Sequence, residues 1–128
     1  MTDDEPIHPI RIDVETAYLQ GESAPAENRY VFAYTITIHN DGEVPARLVS
    51  RYWRITDGNG RVQEVRGEGV VGEQPYLKPG EGFQYTSGAQ LETPMGTMSG
   101  RYGMVDDSGR QFEAPIPEFL LTTPRTLH

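Results

Sequence analysis

The side chains able to do chemistry are few in this chain and stand far apart. The three histidines are His8, His39 and His128. Imidazole serves as metal ligand or general base only when partners lie close by. No two of these histidines fall at ligand spacing, so a zinc or cobalt site is not expected. There is no cysteine. That excludes disulfides, thiolate metal sites, iron–sulfur clusters and cysteine nucleophiles. Lys78 is the sole lysine, hence the sole candidate for Schiff-base chemistry. The serines Ser50, Ser87, Ser99 and Ser108 lie in no G-x-S-x-G elbow and have no histidine near them in sequence. Asp3, Asp4 and Glu5 could meet a hard cation, but a terminal run of acids provides no fixed cage. Asp57, Asp106 and Asp107 read first as turn formers. No cofactor is expected, and the chain reads as non-enzymatic.

One motif remains. GEGVVG, from Gly67 to Gly72, matches G-x-G-x-x-G. A dinucleotide site needs a buried strand before such a motif and a helix opening at it. Here RVQEVR precedes it, and EQPYLKPGE follows it with two prolines. A helix is forbidden there, so no helix N-terminus can hold a pyrophosphate. Glu64, Glu68 and Glu73 would repel one as well. Two readings stay open. Either the glycines only shape a tight loop, or Gly67, Glu68, Gly69, Gly72, Glu73 and Gln74 form a loop that contacts a partner.

The charges sort the possible partners. Eleven bases stand against nineteen acids, a net −8. Residues 1–27 hold seven of the acids and one base, Arg11. A negative field disfavours nucleic acid and anionic lipid. Against it, Arg47, Arg51, Arg54, Arg61 and Arg66 fall within 20 residues. They read either as strand-face arginines paired to carboxylates or as a basic face for an anionic partner, through Arg47, Arg51, Arg61 and Arg66. The N-terminus has no basic-then-apolar signal pattern. Apolar runs are far shorter than the roughly 20 residues that span a bilayer. A cytoplasmic protein with no membrane insertion is expected.

The elements that must position these groups are strands. Fourteen glycines and ten prolines punctuate the whole chain. The apolar period is two almost throughout. Strands are expected at 10–18, 29–39, 46–56, 61–66, 82–87, 97–105 and 110–116, with a brief extended piece at Tyr76–Leu77. Tyr30, Phe32, Tyr34, Ile36 and Ile38 mark a central strand. Val49, Trp53 and Ile55 are expected on one inward face, and Tyr34, Tyr52, Trp53, Tyr85 and Tyr102 in the core. DGNG and DDSG read as turns. After 82–87 the stretch around Leu91, Thr93, Pro94 and Gly96 reads as irregular. Pro115 and Pro117 place the last strand at an edge or end it, after which Phe119 and Leu121 fold back on the core. Seven or eight short strands without a helix define an antiparallel β-sandwich, nearer fibronectin type III than a disulfide-bonded immunoglobulin domain. A single domain spanning 1–128, with 1–9 flexible, is expected.

Several segments together resemble the bacterial ApaG family. They are YVFAYTITIHN (30–40), LVSRYWRITDGNG (48–60), GEGVVGEQP (67–75), PGE (79–81), YTSGAQLETPMGTMSGRY (85–102) and IPEF (116–119). The resemblance runs from about Arg11 to Leu121. Arg54 departs from it, since relatives are expected to carry an apolar residue there. The resemblance implies a fibronectin type III-like sandwich, without assigned catalytic residues. It also implies a cytosolic role associated with cobalt resistance and magnesium efflux. Domains of this type occur in eukaryotic F-box proteins and in a polymerase-interacting protein, which implies a protein–protein interaction module. The partner is an unknown protein, and the oligomeric state a monomer or weak dimer. Two alternatives stand beside this reading: a direct divalent-metal binder, and a phosphate or nucleotide binder using the Gly67–Gly72 loop.

Overall fold

A computed structural model describes residues 9–124. The flexible segment expected at 1–9 falls, but for Pro9, outside the described residues, as do His8 and His128. Eight strands follow in order: β1 (Ile10–Tyr18), β2 (Tyr30–Asn40), β3 (Ala46–Asp57), β4 (Val62–Glu68), β5 (Tyr76–Leu77), β6 (Gly82–Leu91), β7 (Met95–Asp106) and β8 (Gln111–Thr122). The segment between β1 and β2 holds two single 3₁₀ turns, Gln20–Glu22 and Pro25–Glu27.

The strands form two antiparallel sheets. One has the order β1-β2-β6; the other runs β4-β3-β7-β8, with β5 also pairing β3. Large residues alternate along β2 because one of its faces looks into the sandwich. Phe32, Tyr34, Ile36 and Ile38 are buried there. Trp53 from β3, Met98, Tyr102 and Met104 from β7, and Ile116 and Leu121 from β8 meet them from the opposite sheet. Trp53 is 3% exposed. Its ring takes edge-on contacts from Tyr34 at 5.3 Å, Phe119 at 5.9 Å and Tyr102 at 6.4 Å, the geometry that ring quadrupoles favour. Asn40 is the buried polar staple at the end of β2. Its amide donates to the carbonyls of Val44 and Leu77, while its oxygen accepts from Gly42 N–H at 2.9 Å.

Both expected turns close on an aspartate. Asp57 Oδ1 accepts from the N–H groups of Asn59 and Arg61. Asp106 Oδ1 accepts from Ser108 and Arg110.

Four details differ from the sequence-based expectation. A β-bulge between Leu48 and Ser50 takes Val49 out of phase; Ala46 and Leu48 are buried before it, and Trp53 after it. Tyr52 faces outward and is not a core residue. Residues 88–91 continue β6, because Gly88 and Ala89 still pair with Ala33 and Phe32. Finally, β8 does not stop at the prolines but runs on to Thr122; it lies at the sheet edge, as expected, and a second register shift lets Phe119 and Leu121 pair with β7.

Candidate functional site

The glycine segment is a strand end followed by a tight hairpin. Gly67 and Glu68 belong to β4 and pair with Arg51 and Ser50 of β3. The loop proper therefore starts at Gly69. Val70 and Glu73 exchange backbone hydrogen bonds of 2.8 and 2.9 Å. Between them Val71 and Gly72 both take positive φ, 43° and 82°, as in a type I′ turn. An extended return follows, with no helix behind it.

Two of the glycines are required by their neighbours. At Gly67 the Arg51 guanidinium lies across the Cα, and a Cβ there would sit 2.7 Å from its Cζ. Gly69 has φ +62°, and its Cβ would run into the carbonyl of Glu73. Arg51 Nη1 donates to the carbonyls of Glu68 and Gly69, each at 2.9 Å. Gln74 Nε2 donates to the Val49 carbonyl at 3.0 Å, and Arg47 Nη1 to the Gln74 carbonyl at 2.7 Å. Arginine and amide groups thus fasten the loop to β3. Glu68 and Glu73 stay exposed, as does Val71 at the tip, 55% exposed.

The five arginines do not form one face. The bulge at Val49 puts Arg47 and Arg51 on opposite sides of β3. Arg47 stacks over Tyr76 at 5.2 Å, while Arg51 turns toward the space between the sheets. Arg61, at the start of the return strand, pairs with Glu92 at 3.0 Å. On the outer face Arg66 from β4 and Arg101 from β7 stack on the ring of Tyr52, at 4.6 and 4.2 Å. The Tyr52 hydroxyl donates to Glu64, which lifts the phenol above its usual range and holds the carboxyl below its own. Arg101 also pairs with Glu113 at 2.9 Å. No sequence pattern marks this Arg–Tyr–Arg stack, which joins Arg66 with Arg101, 35 residues further along the chain.

Under the hairpin tip lies a cleft of about 220 Å³. Its walls are Tyr34, Trp53, Tyr85 and Ser87, with Val70–Gly72 above and Arg51 at one side. Behind it Tyr85 and Tyr102 share a hydroxyl hydrogen bond of 2.5 Å. Burial pushes the Tyr85 phenol up to about 12 and that of Tyr102 higher still. On the far sheet His39 Nε2 meets Asp13 at 3.3 Å, and Asp13 also takes Arg11. Among the described residues no three of His, Asp and Glu converge as a metal-binding set.

This architecture defines the class: an antiparallel β-sandwich of fibronectin type III-like build, with an arginine-fastened hairpin over one open edge. The chain belongs to the ApaG family. The ApaG domain matches residues 20–106. The chain is 58% identical over 125 residues to Protein ApaG of Xanthomonas axonopodis pv. citri, covering 98% of each. To Protein ApaG of Stenotrophomonas maltophilia it is 56% identical over 98% of this chain and 99% of that one. Among solved structures, an ApaA protein from Bordetella pertussis superposes with a TM-score of 0.90 at 55% identity, covering 93% of this chain and 97% of that one. A protein from Archaeoglobus fulgidus shares the fold alone, with a TM-score of 0.54 at 11% identity.

Proposed function

We propose that this chain is a non-catalytic interaction module of the cytosol, acting on cobalt tolerance and magnesium efflux indirectly, through a protein partner. The observation that carries this reading is Val71. A β-branched residue at positive φ strains the backbone, at a cost of about 1–3 kcal/mol. Val71 is about half exposed at the hairpin tip and stands outside the hydrophobic core, so the strain does not serve core packing. Strained residues of this kind cluster at functional sites, and loops on a rigid sandwich commonly carry binding. Glu68 and Glu73 are exposed beside it. The polar groups that hold the loop are engaged with backbone, which supports a binding reading over a catalytic one.

The experiment is capture from cytosol with wild type and Val71→Gly, alongside cobalt tolerance of cells carrying each. Val71→Gly relieves strain and removes the exposed side chain. A contact role predicts a protein at least as stable as wild type, with lost capture and lost tolerance. Unchanged capture and tolerance would overturn the reading.

A further inference from the structure

Besides the two-residue β5, which is too short to template pairing, the two sheets leave four edge strands, and three of them are protected against pairing with another chain. Edge strands are blunted by charge, proline or bulges. On β1 these are Arg11, Asp13 and Glu15; on β4, Glu64, Arg66 and Glu68; on β8, Pro115 and Pro117. The fourth edge, β6, is Gly82–Leu91, GFQYTSGAQL, ten residues with no charge and no proline. Its hydrogen-bonding phase follows from the pairing. Asn40 N–H donates to the Glu81 carbonyl at 2.9 Å, and the register continues through Ile38↔Phe83 and Ile36↔Tyr85. In an antiparallel pair alternate residues turn their backbone groups to opposite sides. Those of Gln84, Thr86, Gly88 and Gln90 therefore point away from β2. Among the described residues no backbone or side-chain group bonds to them.

This bare edge borders the cleft under the hairpin, through Tyr85 and Ser87. Arg51 is the one charged residue lining that cleft. Its Nη1 holds the two loop carbonyls, and among the described residues its Nε and Nη2 have no partner. A half-buried guanidinium with spare donors beside aromatic walls suits a carboxylate, through charge-assisted and bidentate bonds.

We propose that β6 accepts an extended segment of a partner protein as an added strand, and that an acidic side chain of this segment enters the cleft and pairs with Arg51. This rests on the interaction-module reading and names the chemistry of the partner. Main-chain bonds to the edge supply affinity, and the cleft supplies specificity. A second copy pairing β6 with β6 does not suit the cleft, because Gly82–Leu91 contains no acid to offer it.

The probes are two capped peptides of alternating threonine and valine between lysine ends, one with a central glutamate and one with glutamine there. Binding is read from amide shifts and hydrogen exchange of the isotope-labelled full chain. The expected result is shifts along 84–90, slowed exchange at Gln84, Thr86, Gly88 and Gln90, and at least tenfold tighter binding of the glutamate peptide. Thr86→Pro removes an outward N–H, which an edge strand tolerates, and should abolish binding of both peptides. Arg51→Gln should erase the preference between them. Arg51 also fastens the loop, so the comparison of the two peptides on wild type stands by itself if that variant is unstable. Equal affinity for the peptides, no shifts along 84–90 at millimolar peptide, or a dimer in sedimentation that Thr86→Pro dissolves would each overturn the proposal. Capture lost with Val71→Gly while β6 stays silent would overturn the added strand alone. Capture that no loop variant affects overturns the reading beneath it.

Discussion

The guanidinium of Arg51 lies across the Cα of Gly67, in the place a Cβ would occupy. Each residue accounts for the other. Arginine reaches the carbonyls of Glu68 and Gly69 only because position 67 has no side chain. Gly67→Ala must displace the guanidinium, whose far end is flexible, so the cost is set by the two lost hydrogen bonds. A loss of about 1–2 kcal/mol is expected for Gly67→Ala and for Arg51→Ala. The pair should be strongly non-additive: once Arg51 is gone, Gly67→Ala should cost almost nothing. Urea unfolding of the four members of the cycle measures the coupling, and simple additivity would show that the packing does not hold the loop.

Gly69 and Gly72 both have positive φ, yet they should not respond alike. A Cβ at Gly69 meets the Glu73 carbonyl, whereas at Gly72 nothing lies within 4 Å. Gly72→Ala should therefore cost only the backbone strain, about 1 kcal/mol. Gly69→Ala adds a clash that breaks the Val70–Glu73 pairing, and should cost at least about 2 kcal/mol. Thermal melts of the two variants check the order, which reverses if the hairpin can simply shift away.

Val71 supplies a substitution of the opposite sign. Asparagine tolerates left-handed backbone far better than valine, and Asn-Gly is the favoured pair in a type I′ turn. Val71→Asn should raise stability by about 1 kcal/mol while leaving the sandwich untouched. A fall in melting temperature would mean that the valine side chain packs usefully against the cleft.

Much of the fold was legible because strands with one buried face must alternate. Tyr30 to Ile38 is the clearest case, and the burial of Trp53 follows from the same period. The missed portions share a physical cause. A bulge has no sequence mark, so a strict period of two puts Val49 inward and Arg47 and Arg51 on one face. Gly88 and Ala89 are too small to display a period, though they pair as well as their neighbours. Proline removes a donor, but at an edge that donor faces water, so β8 survives Pro115 and Pro117. Within the site, the position of the glycine segment was readable from its spacing. The role of Arg51 was not, because it depends on the bulge before it and on Gly67 across the ladder. Counting every aromatic as core overlooks that Tyr52 sits next to Trp53, and adjacent strand residues face opposite ways.

The two buried phenols set an alkaline limit to the fold. Tyr85 and Tyr102 hold each other by one hydroxyl hydrogen bond, and burial raises both, Tyr85 to about 12 and Tyr102 further. In the unfolded chain each titrates near 10. A folded pKa above the unfolded one means that the native state keeps protons that the unfolded state releases. The stability from these neutral phenols is thus fully present below about pH 10 and is lost as pH rises through 10 toward 12. Melting temperature should fall across this window, and phenolate absorbance should rise in two stages, with Tyr85 and Tyr102 ionising only as the fold opens. Tyr85→Phe removes one ionisable group and leaves the other hydroxyl without its partner. It should lower stability by about 1–2 kcal/mol at neutral pH and flatten the decline above pH 10. A decline as steep in Tyr85→Phe as in wild type would assign the alkaline sensitivity to groups outside this pair.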